Sequence, residues 1–204
     1  YDDDPLVSVE AAAALGRLRC PAAIPWLQAA IDHEDACVRQ AAAYALGCTG
    51  TPALADIVAT LRSPIASDET RRLMVSALTF MSDPAAYEAV LEATHDPSAE
   101  VRCAAVEALE HTGDPRTVKR LIESLSDTAQ SRLSSSRICD VAARLLQSLG
   151  SGAALVALER WRHEHHPRPP QVAPPMRPPV APSAPMPPAS KSAASAVGRL
   201  EKLT

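Results

Sequence analysis

The sequence predicts an all-α fold in which about five helical hairpins stack into an α-solenoid, followed by an extended proline-rich C-terminal tail. Composition is the first observation: of 204 residues, 47% are hydrophobic but only 3% aromatic, which favours closely packed helices built from small aliphatic side chains. A helical segment recurring about every 31 residues is the second. The third is the crowding of 11 of the 19 prolines into residues 167–188.

The first helix of each hairpin is the most repetitive element. Val7–Gly16 is echoed 31 residues later by Val38–Gly47, and the last copy follows a serine-rich insertion at residues 127–137. The copies begin at Val7, Val38, Thr70, Val101 and Ile138. Some of these helices end near a glycine, where a left-handed residue is favoured: Gly16, Gly47 and Gly113.

The second helix begins at a proline in four hairpins: Pro21, Pro52, Pro84 and Pro115. Proline suits the first helical position because no backbone N–H is needed there. The preceding Thr51, Asp83 and Asp114 are predicted N-caps. These helices carry apolar columns, such as Leu155, Leu158 and Trp161 in the last hairpin. Since one hairpin cannot cover its own apolar face, neighbouring hairpins must stack.

Asp35 to Gly47 carry a recognisable pattern, Asp-x-x-Val-Arg-x-x-Ala-Ala-x-Ala-Leu-Gly, followed by Gly50-Thr51-Pro52. This pattern resembles the bacterial HEAT-repeat type, also called PBS-lyase-like HEAT, over residues 4 to about 162. The third and fifth copies lack the Val-Arg pair and the closing glycine. The resemblance implies a right-handed solenoid of HEAT-like hairpins, and a function among scaffolds, adaptors and a few enzymes.

An arginine recurs at one repeat position, with an aspartate shortly before each copy. The arginines are Arg39, Arg71 and Arg102, and the aspartates are Asp35, Asp68 and Asp96. A basic stripe is one interpretation. The favoured interpretation, which the resemblance implies, is a ladder of Arg–Asp contacts that ties each repeat to its neighbour.

Charge and residue usage exclude several classes of protein. The net charge is -4, and residues 1–162 hold 15 Lys and Arg against 22 Asp and Glu, which argues against nucleic-acid binding. No apolar run approaches the roughly 20 residues that span a bilayer, so we expect no membrane insertion. Five cysteines without a CxxC pair predict small buried side chains in a reducing compartment, and therefore a cytoplasmic protein.

The sequence carries no pattern typical of an enzyme or a cofactor site. It has no Ser/His/Asp or Cys/His order and no glycine-rich phosphate loop. Two His-Glu pairs, at 33–34 and 163–164, invite comparison with HEAT-like di-iron hydroxylases, but they occupy different repeat positions and do not predict a metal site. We therefore expect a non-enzyme without metal or cofactor. The alternative is an accessory subunit of a bilin-lyase-like or other HEAT-repeat enzyme complex.

Outward positions on the second helices supply the candidate partner-binding residues. The residues four or eight positions after an initiating proline form a mostly acidic strip: Asp56, Glu88, Glu92, Lys119 and Glu123. Lys119 and the adjacent Arg120 make the far end of this strip basic. Trp26 stands off the apolar column of its helix. It is either an exposed interface anchor or a side chain packed under the first turn.

The chain changes character after the solenoid, which we assign to residues 1–166. Residues 167–189 form a proline-rich extended linker, and residues 190–204 form a short amphipathic motif with Val197, Leu200 and Leu203 three residues apart. This motif could bind a partner, fold back on the acidic solenoid, or do neither. The sequence thus predicts a non-catalytic scaffold or adaptor that binds one or more protein partners, within a larger assembly as one option, through the solenoid surface and a tethered peptide.

Overall fold

The computed structural model describes residues 4–111, 114–133 and 136–165. The predicted linker 167–189 and the motif 190–204, with Val197, Leu200 and Leu203, lie outside the described residues. The described ranges hold ten helices: α1 (Pro5–Arg17), α2 (Ile24–Ala30, preceded by a 3-10 turn at Pro21–Ala23), α3 (Ala36–Thr49), α4 (Thr51–Leu61), α5 (Asp68–Leu78), α6 (Pro84–Ala93), α7 (Ala99–Ala108), α8 (Pro115–Ser124), α9 (Ile138–Leu149) and α10 (Gly152–His165).

Consecutive helices form five hairpins that stack in chain order. The first helices α1, α3, α5, α7 and α9 pack against one another in series, and each of the last four also contacts the second helix of the preceding hairpin. This arrangement buries one continuous aliphatic core, in which Leu46, Leu109 and Leu158 are almost inaccessible. The predicted all-α solenoid of helical hairpins is confirmed. None of the described helices is both long and apolar enough to cross a bilayer.

Two glycines permit the closest approach between first helices. A Cβ atom on Gly16 would lie 2.7 Å from the Cα atom of Ala45, and one on Gly47 would overlap the carbonyl oxygen of Ala77. Both glycines lie inside their helices, so the prediction that they are left-handed helix ends was wrong. In the described residues, left-handed φ values occur instead at Arg19 (48°), Gly50 (80°) and Gly150 (61°). The third predicted position, Gly113, lies outside the described residues.

The predicted N-caps hold for two of three second helices. Asp83 and Asp114 each accept a hydrogen bond from the backbone amide two residues ahead, at 2.9 and 2.8 Å. The prediction for Thr51 was wrong, because α4 begins one residue earlier and Gly50 is its N-cap. The Thr51 hydroxyl instead donates to Asp83 Oδ2 of the next hairpin at 3.2 Å, which links two hairpins.

Two other predictions about burial need correction. Leu155, placed in an apolar column, is 44% exposed, whereas Leu158 and Trp161 of that column are buried. Of the five free cysteines, Cys103 and Cys139 are buried, and burial raises the pKa of the Cys139 thiol. Cys37 is exposed, because it lies at the start of α3, where the helix faces solvent.

Ion pairs from the repeated arginines cross each boundary between the middle hairpins. The acid comes from the following hairpin: Arg39 pairs with Glu69 at 2.7 Å, Arg71 with Asp96 at 2.9 Å, and Arg102 with Asp127 at 2.7 Å. Each arginine also donates to backbone carbonyls before its own helix, at 2.7 to 3.0 Å. We call these three pairs the arginine ladder. Of the aspartates that precede the arginines, Asp35 instead caps α3.

Candidate partner-binding surface

The outward side chains of α2, α4, α6 and α8 form what we call the second-helix surface. It contains every candidate residue within the described ranges: Trp26, Asp56, Glu88, Glu92, Lys119, Arg120 and Glu123. All are exposed except Arg120, which is partly buried. Trp26 is 68% exposed, so it is an exposed side chain rather than one packed under the first turn of its helix.

Arginines of neighbouring hairpins neutralise the acidic residues of α6. Arg62, at the end of α4, pairs with Glu92 at 2.6 Å, and Arg116 of α8 pairs with Glu88 at 2.5 Å. The second-helix surface is therefore a belt of alternating charges and not a row of free carboxylates. Arg62 and Arg116 do not stand out in the repeat pattern of the sequence. The signal that could have found them is the spacing of 30 and 28 residues to their glutamates, close to one repeat.

Arg116 is the most constrained cation of this surface. It also pairs with Asp114 at 2.8 Å, and its guanidinium lies 5.1 Å from the centre of the Tyr87 ring. Hydrogen bonds to Asp114 and Glu88 raise the pKa of Arg116, and the bonds from Arg116 lower the pKa of Asp114. These contacts fix α8 against α6.

Arg120 connects the same two hairpins at the other end of α8. It pairs with Glu123 at 2.9 Å and contacts Nε2 of His95, which follows α6. His95 and Glu92 border an open cleft of about 720 Å³, whose lining contains both charged and apolar side chains. Asp56 and Lys119, in contrast, take part in no ion pair with another described residue, so their charges are available to a partner.

An apolar cleft borders Trp26 at the first hairpin. It has a volume of about 220 Å³ and lies between α1, α2 and the start of α3. Its buried side is formed by residues such as Leu27 and Val38, which are 2% and 1% exposed. This cleft did not follow from the sequence pattern, because α2 has only seven residues and its preceding turn is a 3-10 helix.

A polar cleft lies among the first helices α5, α7 and α9, whose surface the sequence pattern does not mark as a binding site. It has a volume of about 410 Å³ and is lined by Arg72 of α5, by Glu107 of α7 and Glu110 just after α7, and by Arg144 of α9. The Nε atom of Arg72 is buried without a hydrogen-bond partner in the described part of the chain. Nearby on the same side, the rings of Tyr44 and Phe80 meet edge to face at 4.9 Å.

Metal-ligating residues do not cluster among the residues that the structure describes: no group of three or more His, Cys, Asp or Glu side chains could hold an ion. His33 accepts a hydrogen bond from the amide of Asp35 at 3.0 Å, and His165 contacts the carbonyl oxygen of Trp161 at 3.0 Å. These described histidines take part in local backbone contacts.

Comparison with known proteins gives a family and two structural neighbours. A family model described as HEAT repeats matches residues 1–65 and 59–138. No curated protein sequence matches the chain significantly.

Among solved structures, human deoxyhypusine hydroxylase in complex with glycerol is similar with a TM-score of 0.44 and 18% identity, over 81% of this chain and 75% of that one. The complex of CpcE and CpcF of phycocyanin lyase from Nostoc sp. PCC7120 is similar with a TM-score of 0.43 and 18% identity, over 69% of this chain and 64% of that one.

Proposed function

The chain belongs to the HEAT repeats family, and from this premise we propose that it is a non-catalytic scaffold that binds a partner protein on its second-helix surface. The observation that carries the proposal is the belt of ion pairs that joins α4, α6 and α8 across the hairpin boundaries. A surface whose side chains are already held in place loses less conformational entropy when a partner binds.

The belt divides the candidate residues into two roles. Glu88, Glu92 and Glu123 are engaged by arginines and keep the surface in shape. Asp56 and Lys119 carry exposed charges without an ion-pair partner among the described residues, and we assign them to recognition of the partner. Charged groups of this kind act mainly on the rate of association and on specificity.

The C-terminal sequence supplies a second contact in this proposal. The proline-rich sequence 167–189 connects the solenoid to the motif 190–204, and this motif, with Val197, Leu200 and Leu203, binds the same partner. Tethering two contacts in one chain makes the second binding event intramolecular, which raises the total affinity without a new interaction.

Co-purification of partners with tagged protein tests the proposal. We expect Asp56→Lys and Lys119→Glu each to reduce recovery of a partner that the parent protein retains at low salt. Glu10→Lys is the matched control, because Glu10 is an exposed acid on α1, a first helix that does not contribute to the second-helix surface. Equal recovery with all three variants would contradict binding on this surface.

Truncation after His166 tests the tethered peptide separately. We expect the shortened chain to retain the partner less well than the full chain, with faster loss during washing. A triple variant of the full chain, with Val197, Leu200 and Leu203 changed to serine, keeps the linker and isolates the motif. If both forms recover the partner as well as the parent does, the tail has no part in binding.

A further inference from the structure

The apolar cleft beside Trp26 has the length of two helical turns. On α1 it is lined from Val7 to Leu15, a distance of about 12 Å at the helical rise per residue. α2 contributes Trp26 and Ala30 to the other wall. Side chains at positions i, i+4 and i+7 of a docked helix would span about the same distance.

The volume of the cleft suits aliphatic side chains. A cavity of roughly 150 Å³ holds a benzene ring, so a cleft of about 220 Å³ accommodates one or two aliphatic side chains. Its lining is apolar apart from Ser8, and the exposed Trp26 stands at its border. A large aromatic side chain next to a pocket is typical of the residues that dominate binding energy at interfaces.

Charges of opposite sign mark the two ends of the cleft. Asp4 caps α1 just before Val7, and Glu34 lies in the loop between Ala30 and Val38. Val7, Ala30 and Val38 all line the cleft. Arg17 and Arg19 follow Leu15 at the other end, and both are exposed.

We propose that this cleft binds an amphipathic helix of a partner protein. The aliphatic stripe of the helix enters the cleft beside Trp26, its basic end lies over Asp4 and Glu34, and its acidic end lies over Arg17 and Arg19. Opposite charges at the two ends fix the direction of the helix, because reversal would place like charges together. This inference rests on the proposed scaffold function and names the class of partner.

Three labelled synthetic helices serve as probes of the full chain in fluorescence anisotropy. The first has leucines at i, i+4 and i+7, lysines at one end and glutamates at the other. The second has the same composition with the charges interleaved, and the third has serine in place of leucine. We expect the first to bind roughly five-fold tighter than the second at low ionic strength, and the third not to bind.

Two variants and one control place the binding event. Trp26→Ala removes the aromatic border, and Ala11→Arg blocks the cleft from an exposed position on its α1 wall. Each variant is expected to lower the affinity for the first peptide at least ten-fold. Val156→Ser, at an apolar residue 63% exposed on α10, is the matched control and should leave the affinity unchanged.

Tryptophan emission provides an independent readout of position. Trp26 is exposed, whereas Trp161 is buried with its indole N–H bonded to Leu125. Peptide binding should therefore shift the emission to shorter wavelength, and Trp26→Phe should abolish the shift.

Three outcomes would overturn the inference. These are equal binding of all three peptides, affinity unchanged in both cleft variants, and an emission shift on concentrating the protein alone, which would assign the cleft to a second copy. If the peptides fail while Asp56→Lys and Lys119→Glu still abolish partner recovery, the scaffold proposal stands and only the cleft assignment falls.

Discussion

Arg71 and Asp96 form a bidentate ion pair across the boundary between the third and fourth hairpins. Nε and Nη2 of Arg71 donate to the two carboxylate oxygens at 2.9 and 3.0 Å, and the side chains are only 11% and 9% exposed. Hydrogen bonds to Asp96 raise the pKa of Arg71. A charged group buried to this degree is costly if its partner is removed.

We expect Asp96→Asn to lower the free energy of unfolding by roughly 1.5–3 kcal/mol, since it removes the charge but keeps the shape. Urea denaturation of the full chain measures the loss. Glu92→Gln is the control, because the pair of Glu92 with Arg62 is more than half exposed and should leave the midpoint unchanged. Equal effects of the two variants would contradict a special role for the buried pair.

The ion pair of Asp127 with Arg102 should make the stability of the folded chain depend on pH. Partial burial raises its pKa, but hydrogen bonds from Arg102 and from the amide of Ala129 outweigh this effect, so the pKa in the folded chain lies below its ordinary value of about 3.9. The stabilisation is therefore complete above the unfolded pKa and is lost as the pH falls through the folded pKa.

We expect Asp127→Asn to be less stable than the parent at pH 7, and the difference to shrink once the pH falls below about 4. Denaturation midpoints across this range measure it. A difference that stays constant down to the acid limit would show that the carboxylate charge is not the cause.

At Gly47, a single added methyl group should destabilise the fold. In Gly47→Ala the new Cβ atom would overlap the backbone carbonyl oxygen of Ala77, which cannot move without shifting α5. We expect a loss of roughly 1–3 kcal/mol despite the better helix propensity of alanine. Gly152→Ala is the control, since nothing lies within 4 Å of its added Cβ atom, and it should be neutral or slightly stabilising. A neutral Gly47→Ala would contradict the close approach.

Hydrogen bonds to Glu100 should protect the loop between α8 and α9 from proteolysis. Its carboxylate accepts from the Ser131 hydroxyl at 2.7 Å and from the amide of Arg132 at 2.6 Å. Partial burial raises the pKa of Glu100, but these hydrogen bonds lower it by more, so the pKa lies below its ordinary value.

We expect Glu100→Gln to accelerate trypsin cleavage after Arg132 roughly ten-fold, because the loop then opens more often. Glu107→Gln, an exposed glutamate on the same helix, should leave the cleavage rate unchanged. Cleavage at the parental rate in Glu100→Gln would show that the loop is held by other contacts.

Repeat spacing and local capping patterns predicted the order of the hairpins and two of the helix caps. The 31-residue period and the initiating prolines placed the hairpins, and Asp83 and Asp114 were found as caps because capping depends only on local backbone geometry. The glycines were misjudged for the opposite reason. Gly47 is required by a neighbour 30 residues away, Ala77, and no local rule reveals such a contact.

The candidate surface could be predicted only in part. Positions after each proline identified Glu88 and Glu92 as outward residues, because helix geometry fixes which side chains leave the core. Their neutralisation by Arg116 and Arg62 depends on how adjacent hairpins are rotated, and the sequence does not encode this in a short pattern. The cleft at Trp26 likewise depends on the packing of three helices.

Because the hairpins stack in chain order, the length of the solenoid depends on how many hairpins it contains. Neighbouring helices in contact lie about 8–10 Å apart, so each hairpin adds about one such step to the stack. Gain or loss of one of the middle hairpins would therefore lengthen or shorten the stack by one step while leaving the cleft beside Trp26 unchanged. The distance between the first and the last hairpin can thus change only in discrete increments.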